Sequence, residues 1–334
     1  MKSKIHKGLN KLASFKTSRW KNNGGKKVLI AVNQYFSNES WTKLFSGKYS
    51  NEVKDWDVVF SSGKLDFSKH FAEADVCFLF GYSKLNQATD SKPKLLYFPL
   101  IGLEFLNDRK IPANYQIEKP PAYSKMAIAE YCFSMAVLIR RNLQFSFTHQ
   151  YEKRWEQKEI LTNDFKPISS EKIGILGLGN VGRAVADYFK QNSCEVIGCD
   201  RIIDHSFNNI DQWFTIEDLN AFLKLIDVLI IALPLTEETK NLVGINELKV
   251  LGKNKYLINI SRGEIVNEKE LLKALSTEMI GGAVLDVFAQ EPLSSSSPFY
   301  KLKNVIITPH IAGNINLFVS KIQADFIQKA SSNK

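Results

Sequence analysis

No stretch of the 334-residue sequence stays apolar over the ~20 residues that a membrane-spanning helix requires. A typical apolar run, Val228 to Leu235, has only the length of a strand. Cysteine is scarce. Cys77, Cys132, Cys194 and Cys199 show no C-x-x-C spacing and sit in apolar surroundings, the pattern of small buried thiols in a reducing cytosol. No grouping of His, Cys and acidic residues has metal-ligand spacing, so no metal is expected. The G-x-S-x-G nucleophile elbow and the G-x-x-x-x-G-K-S/T phosphate loop are both missing. A continuous apolar leader is missing too, because the apolar positions near the start are interspersed with Lys.

What is present is the composition of a soluble globular protein, 44% hydrophobic and 24% charged, in a chain long enough for two domains with separate cores. The formal charge of +9 sits in one place. Residues 1–27 hold nine Lys and Arg and no acid, which leaves 35 basic against 35 acidic residues elsewhere. That balance argues against nucleic acid as a partner of the body. In the tail, Ile5, Leu9, Leu12 and Phe15 would stripe a lysine-rich helix suited to weak attachment to an anionic membrane surface or to nucleic acid, while a poorly ordered terminal extension is the plainer reading.

The chain is organised around Glu171 to Phe189. Lys172 to Leu176 is a short apolar run, after which Val181, Val185, Tyr188 and Phe189 follow a helical period, so a buried strand turns into a helix. Gly177, Gly179 and Gly182 lie at that turn in G-x-G-x-x-G spacing, for the tight turn, for close approach of a pyrophosphate and for helix-on-strand packing. A second strand, Cys194 to Asp200, ends in a carboxylate 21 residues beyond Gly179, where it can accept from an adenosine ribose and repel the extra phosphate of NADP. NAD is therefore the expected cofactor, although Arg201 beside the acid is a cation that could accommodate a 2′-phosphate.

Before this turn, apolar runs at Lys27–Val32, Asp55–Phe60, Ala74–Phe80, Lys94–Leu100 and Tyr115–Glu118 suggest a first α/β unit with a small parallel sheet. One long helix is expected from about Ala122 to Trp155, suited to link two lobes. After the turn, six strands with intervening helices fit a doubly wound sheet, and Asn267 resembles the cap of a helix over Glu268–Ser276. A last amphipathic helix after Gly313, carrying Ile315, Phe318, Val319, Ile322 and Phe326, could return to the first lobe.

Three polar residues follow strands of the second unit: Arg262, Glu291 and His310. All would face the crevice of the glycine turn. Singly each has a plain explanation, since Arg-Gly marks loops, Glu-Pro marks turns, and a histidine after proline is usually structural. Together they are the groups that hydride transfer to a 2-keto acid needs: a guanidinium to hold the carboxylate, a proton donor for the carbonyl oxygen, and an acid that favours imidazolium.

The combination resembles the D-isomer-specific 2-hydroxyacid dehydrogenase family. The matching stretches are Gly174–Gly182, Leu233–Thr239, Asn259–Gly263, Leu285–Leu293 and Thr308–Gly313, with Ile128-Ala-Glu130 similar to the family's Val-Ala-Glu segment. The resemblance implies two Rossmann-like domains: a doubly wound NAD-binding domain over 147–313 and a smaller, discontinuous flavodoxin-like substrate domain over 27–146 and 314–334. Residues 1–26 would be an added extension. It implies that Arg262 binds the substrate carboxylate, that His310 is the general acid and base, and that Glu291 is its partner. Asn180 and Val181 would offer N–H groups to the pyrophosphate and Asp200 would hold the ribose. Leu233 would line the adenosine side, with Pro234, Thr239 and Ser261 also at the cofactor. Ile260, Asp286 and Gly313 would flank the nicotinamide, Asp286 accepting from its carboxamide. Phe80, Gly81 and Tyr82 would line the substrate, with Phe80 where the family commonly carries arginine, which weakens the case for a phosphorylated substrate. A cytoplasmic homodimer is implied, and the expected reaction interconverts a 2-keto acid and a D-2-hydroxy acid. The competing reading is an NAD-responsive interaction protein without turnover, as in the corepressors that resemble this family.

Overall fold

Val28, Leu29, Ile30 and Ala31 are all buried, yet they belong to two cores, because successive strand residues point to opposite faces. Such a strand must be covered on both sides. In the computed structural model, which describes residues 24–33, 35–61, 70–79, 95–99, 113–158 and 166–333, it is β1 (Lys26–Ala31) of a five-stranded parallel sheet. The others are β2 (Trp56–Ser61), β3 (Val76–Phe78), β4 (Leu95–Tyr97) and β5 (Gln116–Glu118), in the order β2-β1-β3-β4-β5, the flavodoxin-like order. Val28 sits in register with Val58 on one side and Val76 on the other.

On the Val28 and Ile30 face lie helix α1 (Asn38–Ser46), with Trp41 fully buried, and the last helix of the chain, Val319–Ser332. Phe326 from that last helix packs edge-on against Trp41, Phe78 and Tyr97 at centroid distances of 5.5, 5.2 and 5.3 Å. Geometries of this kind add about 0.5–1.5 kcal/mol per pair to the burial itself. Lys26 Nζ donates to the Ala330 carbonyl at 2.7 Å, placing a cation at the helix C-terminus. The chain thus returns at its end to complete the first unit, which runs to Tyr123 and resumes at Ile315.

The second unit, Ser124–Asn314, holds seven parallel strands. These are β6 (Lys172–Leu176), β7 (Glu195–Asp200), β8 (Gln212–Thr215), β9 (Val228–Ile231), β10 (Tyr256–Asn259), β11 (Gly282–Leu285) and β12 (Val305–Ile307). Their order, β12-β11-β10-β9-β6-β7-β8, is that of a Rossmann sheet with one further strand. The direction of winding reverses between β6 and β9, whose ends pair at Leu176 and Ile231. Ligands of such sheets sit beyond the strand ends at this switch point. Six strands were expected here; the seventh, β8, is a four-residue edge strand whose residues all retain exposure, so no buried apolar run marks it.

The expected single helix over 122–155 is two, α2 (Lys125–Arg140) and α3 (Leu143–Tyr151). Between them Asn142 adopts φ 53°, a left-handed conformation that asparagine tolerates and a helix cannot continue through. Helix α2 is not a linker outside the nucleotide-type unit. Its buried face of Ile128, Ala129, Cys132, Ala136 and Ile139 shares one core with β6 and with helix α4 (Asn180–Gln191), and Phe133 meets Phe189 at 5.3 Å. For that reason the unit begins at Ser124 rather than at 147. The Asn267 cap forms as expected, its side chain accepting from the Glu270 N–H at 3.3 Å at the start of Glu268–Ser276. No helix among the described residues is long and apolar enough to cross a membrane. The basic extension lies outside the described residues apart from Gly24 and the few residues after it.

Candidate active site

Three glycines at the end of β6 do three different jobs. Gly177 has φ +99°, and a Cβ added to it would lie 2.8 Å from the carbonyl carbon of Ala232 and the nitrogen of Leu233. The turn out of β6 is therefore pressed against the end of β9. On Gly182, in the first turn of α4, a Cβ would fall 1.9 Å from the Gly177 oxygen, so the helix rests directly on the turn. Gly179 is the opposite case: nothing lies within 4 Å of its Cβ position. Asn180 and Val181 open α4 without a side-chain cap, so the helix start offers N–H groups and the positive end of its dipole to an anion. Open backbone and an uncapped helix start are what a dinucleotide pyrophosphate fits.

Asp200 ends β7, and its carboxylate is braced by the same turn. Oδ2 accepts from the Leu178 N–H at 2.5 Å and Oδ1 from the Arg201 N–H at 2.6 Å. Across the switch point, Leu233 and Pro234 follow β9. The Thr239 hydroxyl donates to the Pro234 carbonyl at 2.7 Å and accepts from the Thr236 N–H at 2.7 Å, so this residue closes a turn. Ser261 Oγ donates to the Leu233 carbonyl, tying the loops after β9 and β10 together.

Past β10, the buried Asn259 shapes the presentation of Arg262. Its Oδ1 accepts from the Ser261 N–H at 3.1 Å and its Nδ2 donates to the Arg262 carbonyl at 2.9 Å, spanning the half-buried Ile260. Arg262 Nη1 donates to the Ser261 carbonyl at 2.8 Å. A Cβ on Gly263 would fall 2.0 Å from the Phe288 carbonyl carbon and 2.1 Å from the Ala289 nitrogen. The backbone leading to Glu291 thus crosses the backbone after Arg262 in direct contact.

Past β11 and β12 stand the other two groups. His310 Nδ1 lies 2.8 Å from Glu291 Oε2, and Glu291 Oε1 accepts from the Phe288 N–H at 3.0 Å, which fixes the carboxylate. His310 itself has φ 54°, and its N–H donates to the Asp286 carbonyl at 2.9 Å. The Asp286 side chain, 1% exposed, accepts from Thr308 Oγ1 (2.5 Å), Ile311 N–H (2.9 Å) and Ala312 N–H (3.0 Å). A carboxylate expected to meet a nicotinamide carboxamide is here engaged in holding the loop that carries His310. It is buried because that loop folds over it. Near Gly313 a Cβ would stand 3.7 Å from the nearest atom, Ser124 Oγ, so packing does not demand glycine there.

The structure brings Glu291 and His310 into contact and joins the Arg262 loop to them through Gly263. Phe80, Gly81 and Tyr82 lie outside the described residues. Two further residues, Arg183 and Asp204, join the site through contacts that no motif in the sequence singles out. Arg183 Nε donates to the Leu178 carbonyl at 2.9 Å and its Nη2 pairs with Asp204 at 2.7 Å. Their sign in the sequence is a guanidinium immediately after the third glycine and an acid four places past Asp200. The four cysteines are buried free thiols; burial pushes Cys194 up to about 11 and Cys199 up to about 12, and raises Cys132 strongly, which unfits these three as nucleophiles near neutral pH.

Known proteins are similar to this chain in sequence and in fold. A family model for the NAD binding domain of D-isomer specific 2-hydroxyacid dehydrogenases matches residues 133–312. The D-3-phosphoglycerate dehydrogenase of Synechocystis sp. is 33% identical over 195 residues, 58% of this chain and 34% of that protein. The glyoxylate/hydroxypyruvate reductase A of Arabidopsis thaliana is 33% identical over 214 residues, 61% of this chain and 65% of that protein. The chain therefore spans between a third and two thirds of the length of these relatives. A D-isomer specific 2-hydroxyacid dehydrogenase from Xanthobacter autotrophicus Py2, solved with NADPH and MES, matches in fold with a TM-score of 0.74 at 23% identity, over 93% of this chain and 96% of that one. With its Rossmann sheet, its glycine turn and more than half its length within the family model, this chain belongs to the D-isomer-specific 2-hydroxyacid dehydrogenase family.

Proposed function

We propose that the protein is an NAD-dependent oxidoreductase that interconverts a 2-keto acid and a D-2-hydroxy acid. The observation that carries this reading is the His310–Glu291 pair at 2.8 Å, linked through the Phe288 backbone to the loop that displays Arg262. Gly177, Gly179 and Gly182, the helix start at Asn180 and Val181, and Asp200 would hold the dinucleotide. Leu233, Pro234, Thr239, Ile260, Ser261 and Gly313 would stand along it. Asp286 would act there by holding the His310 loop. When bound, the reduced nicotinamide supplies the hydride.

The chain's own residues supply the rest. The Arg262 guanidinium binds the carboxylate in a forked geometry and draws charge from the neighbouring carbonyl. Glu291 engages Nδ1 of His310, which leaves Nε2 to give a proton to the carbonyl oxygen in reduction and to take it back in oxidation. Glu291 thereby fixes the ring's tautomer and orientation, as the third member of a catalytic set does. Phe80 and Tyr82, on sequence grounds, favour an unphosphorylated acid. Asp200 favours NAD over NADP. The reading without turnover, an NAD-responsive interaction protein, would leave the His310–Glu291 pair without purpose.

Purified protein mixed with NADH or NADPH and a panel of 2-keto acids tests the proposal. Loss of reduced-cofactor absorbance with at least one acid is expected, faster with NADH. Cofactor binding without turnover of any acid would refute it.

We also propose a homodimer. On α3, Phe147 and Tyr151 are one helical turn apart, and Tyr151 and Trp155 are 91% and 90% exposed. Aromatic side chains that open to water are the anchors an interface buries. Light scattering should give twice the monomer mass, and Tyr151→Ala with Trp155→Ala should shift it toward monomer; a monomeric wild type sinks this assembly.

A further inference from the structure

Two arginines border the place where Asp200 would hold the ribose, and both have acidic company. Arg183 reaches back from the first turn of α4 to the carbonyl of Leu178, the residue whose N–H is taken by Asp200. Guanidinium and carboxylate are therefore anchored on the two peptide groups of one residue. Arg183 is held from two further sides: its Nη2 pairs with Asp204 at 2.7 Å, and its Cζ lies over the Phe207 ring at 5.0 Å. Asp204 is itself fixed by Ser206, whose N–H donates at 3.0 Å and whose hydroxyl donates at 2.5 Å. These two bonds and Arg183 hold its carboxyl down at about 2, so it is charged near neutral pH. On the opposite side of the site, the Thr236 hydroxyl donates to Glu238 at 2.6 Å, and this acid feels the charge of Arg201.

A guanidinium beside the ribose is what a 2′-phosphate needs. We propose that Asp204 is a second determinant of cofactor choice, a positioning residue that withholds Arg183 from a 2′-phosphate and so biases the site toward NAD. Asp200 excludes the phosphate by repulsion; Asp204 acts by occupying the cation that would otherwise receive it. Both partners of the Arg183–Asp204 pair are more than a third exposed, so loss of Asp204 opens Nη2 to a phosphate while the Leu178 carbonyl still holds Nε. This inference rests on the dinucleotide reading above.

Titration of the full chain with NADH and NADPH, followed by nucleotide fluorescence, tests it. Asp204→Ala should tighten NADPH about tenfold, the scale of one added charge-assisted hydrogen bond, with NADH changed less than about twofold. Asp204→Asn, which retains the turn to Ser206, should move in the same direction. The gain should vanish in the Asp204→Ala, Arg183→Gln double variant, because it depends on that guanidinium. An unchanged NADPH to NADH ratio, equal weakening of both nucleotides, or a gain that survives loss of Arg183 would overturn the proposal. A wild type that binds neither nucleotide would instead overturn the dinucleotide reading on which it stands.

Discussion

A single missing side chain means different things at Gly179 and Gly182. At Gly182 a methyl group would overlap the Gly177 oxygen, whereas at Gly179 it would meet no protein atom. Gly182→Ala should therefore destabilise the fold by about 1–3 kcal/mol or more, since backbone cannot yield as a side chain can. Gly179→Ala should leave thermal unfolding nearly unchanged yet weaken NADH, because in the proposed mode of binding only the dinucleotide would meet the added methyl group. Equal unfolding temperatures for the two variants would contradict this division of labour. At the same scale the close packing at Gly177 and Gly182 was legible in their spacing, whereas the pairing of Glu291 with His310, 19 residues apart, was legible only through the family resemblance and the chemistry of the two groups. The engagement of Asp286 and the Arg183–Asp204 pair were not. Each depends on which neighbours a loop brings to a carboxylate, and loops carry no period from which that could be read.

Elements were legible where burial gave them a pattern. The four central strands β6, β9, β10 and β11 each end in continuous burial, and their apolar runs are visible in the sequence. Edge strand β8 is half-exposed throughout and offers no such run. The break between α2 and α3 rests on the conformation of Asn142 alone. Another feature hidden from periodicity sits at the end of α2, where Arg140 pairs with the buried Glu171 just before β6 and lies over the Tyr256 ring at 5.0 Å. This pair pins helix to sheet. Arg140→Met would leave Glu171 buried with its counter-ion removed, at a cost of about 3–5 kcal/mol in denaturant unfolding. A loss below about 1 kcal/mol would show that the carboxylate finds water instead.

For the whole molecule, the division into two units followed from two apolar patterns separated by a glycine turn, and the return of the last helix followed from its apolar stripe. The boundary at Ser124 did not, because an amphipathic helix does not announce which sheet it covers; α2 joins the core of β6 and α4 by packing, not by position in the chain. In the proposed mechanism the nucleotide-type unit holds the dinucleotide with one set of residues and moves the proton with another. These should separate experimentally. The most direct measurement compares wild type with His310→Ala, reading NADH affinity by fluorescence and keto-acid turnover by absorbance. Affinity within about twofold of wild type is expected, with turnover reduced by about 10²–10⁴-fold, the contribution of a positioned general acid. Turnover at the wild-type rate in His310→Ala would contradict this mechanism.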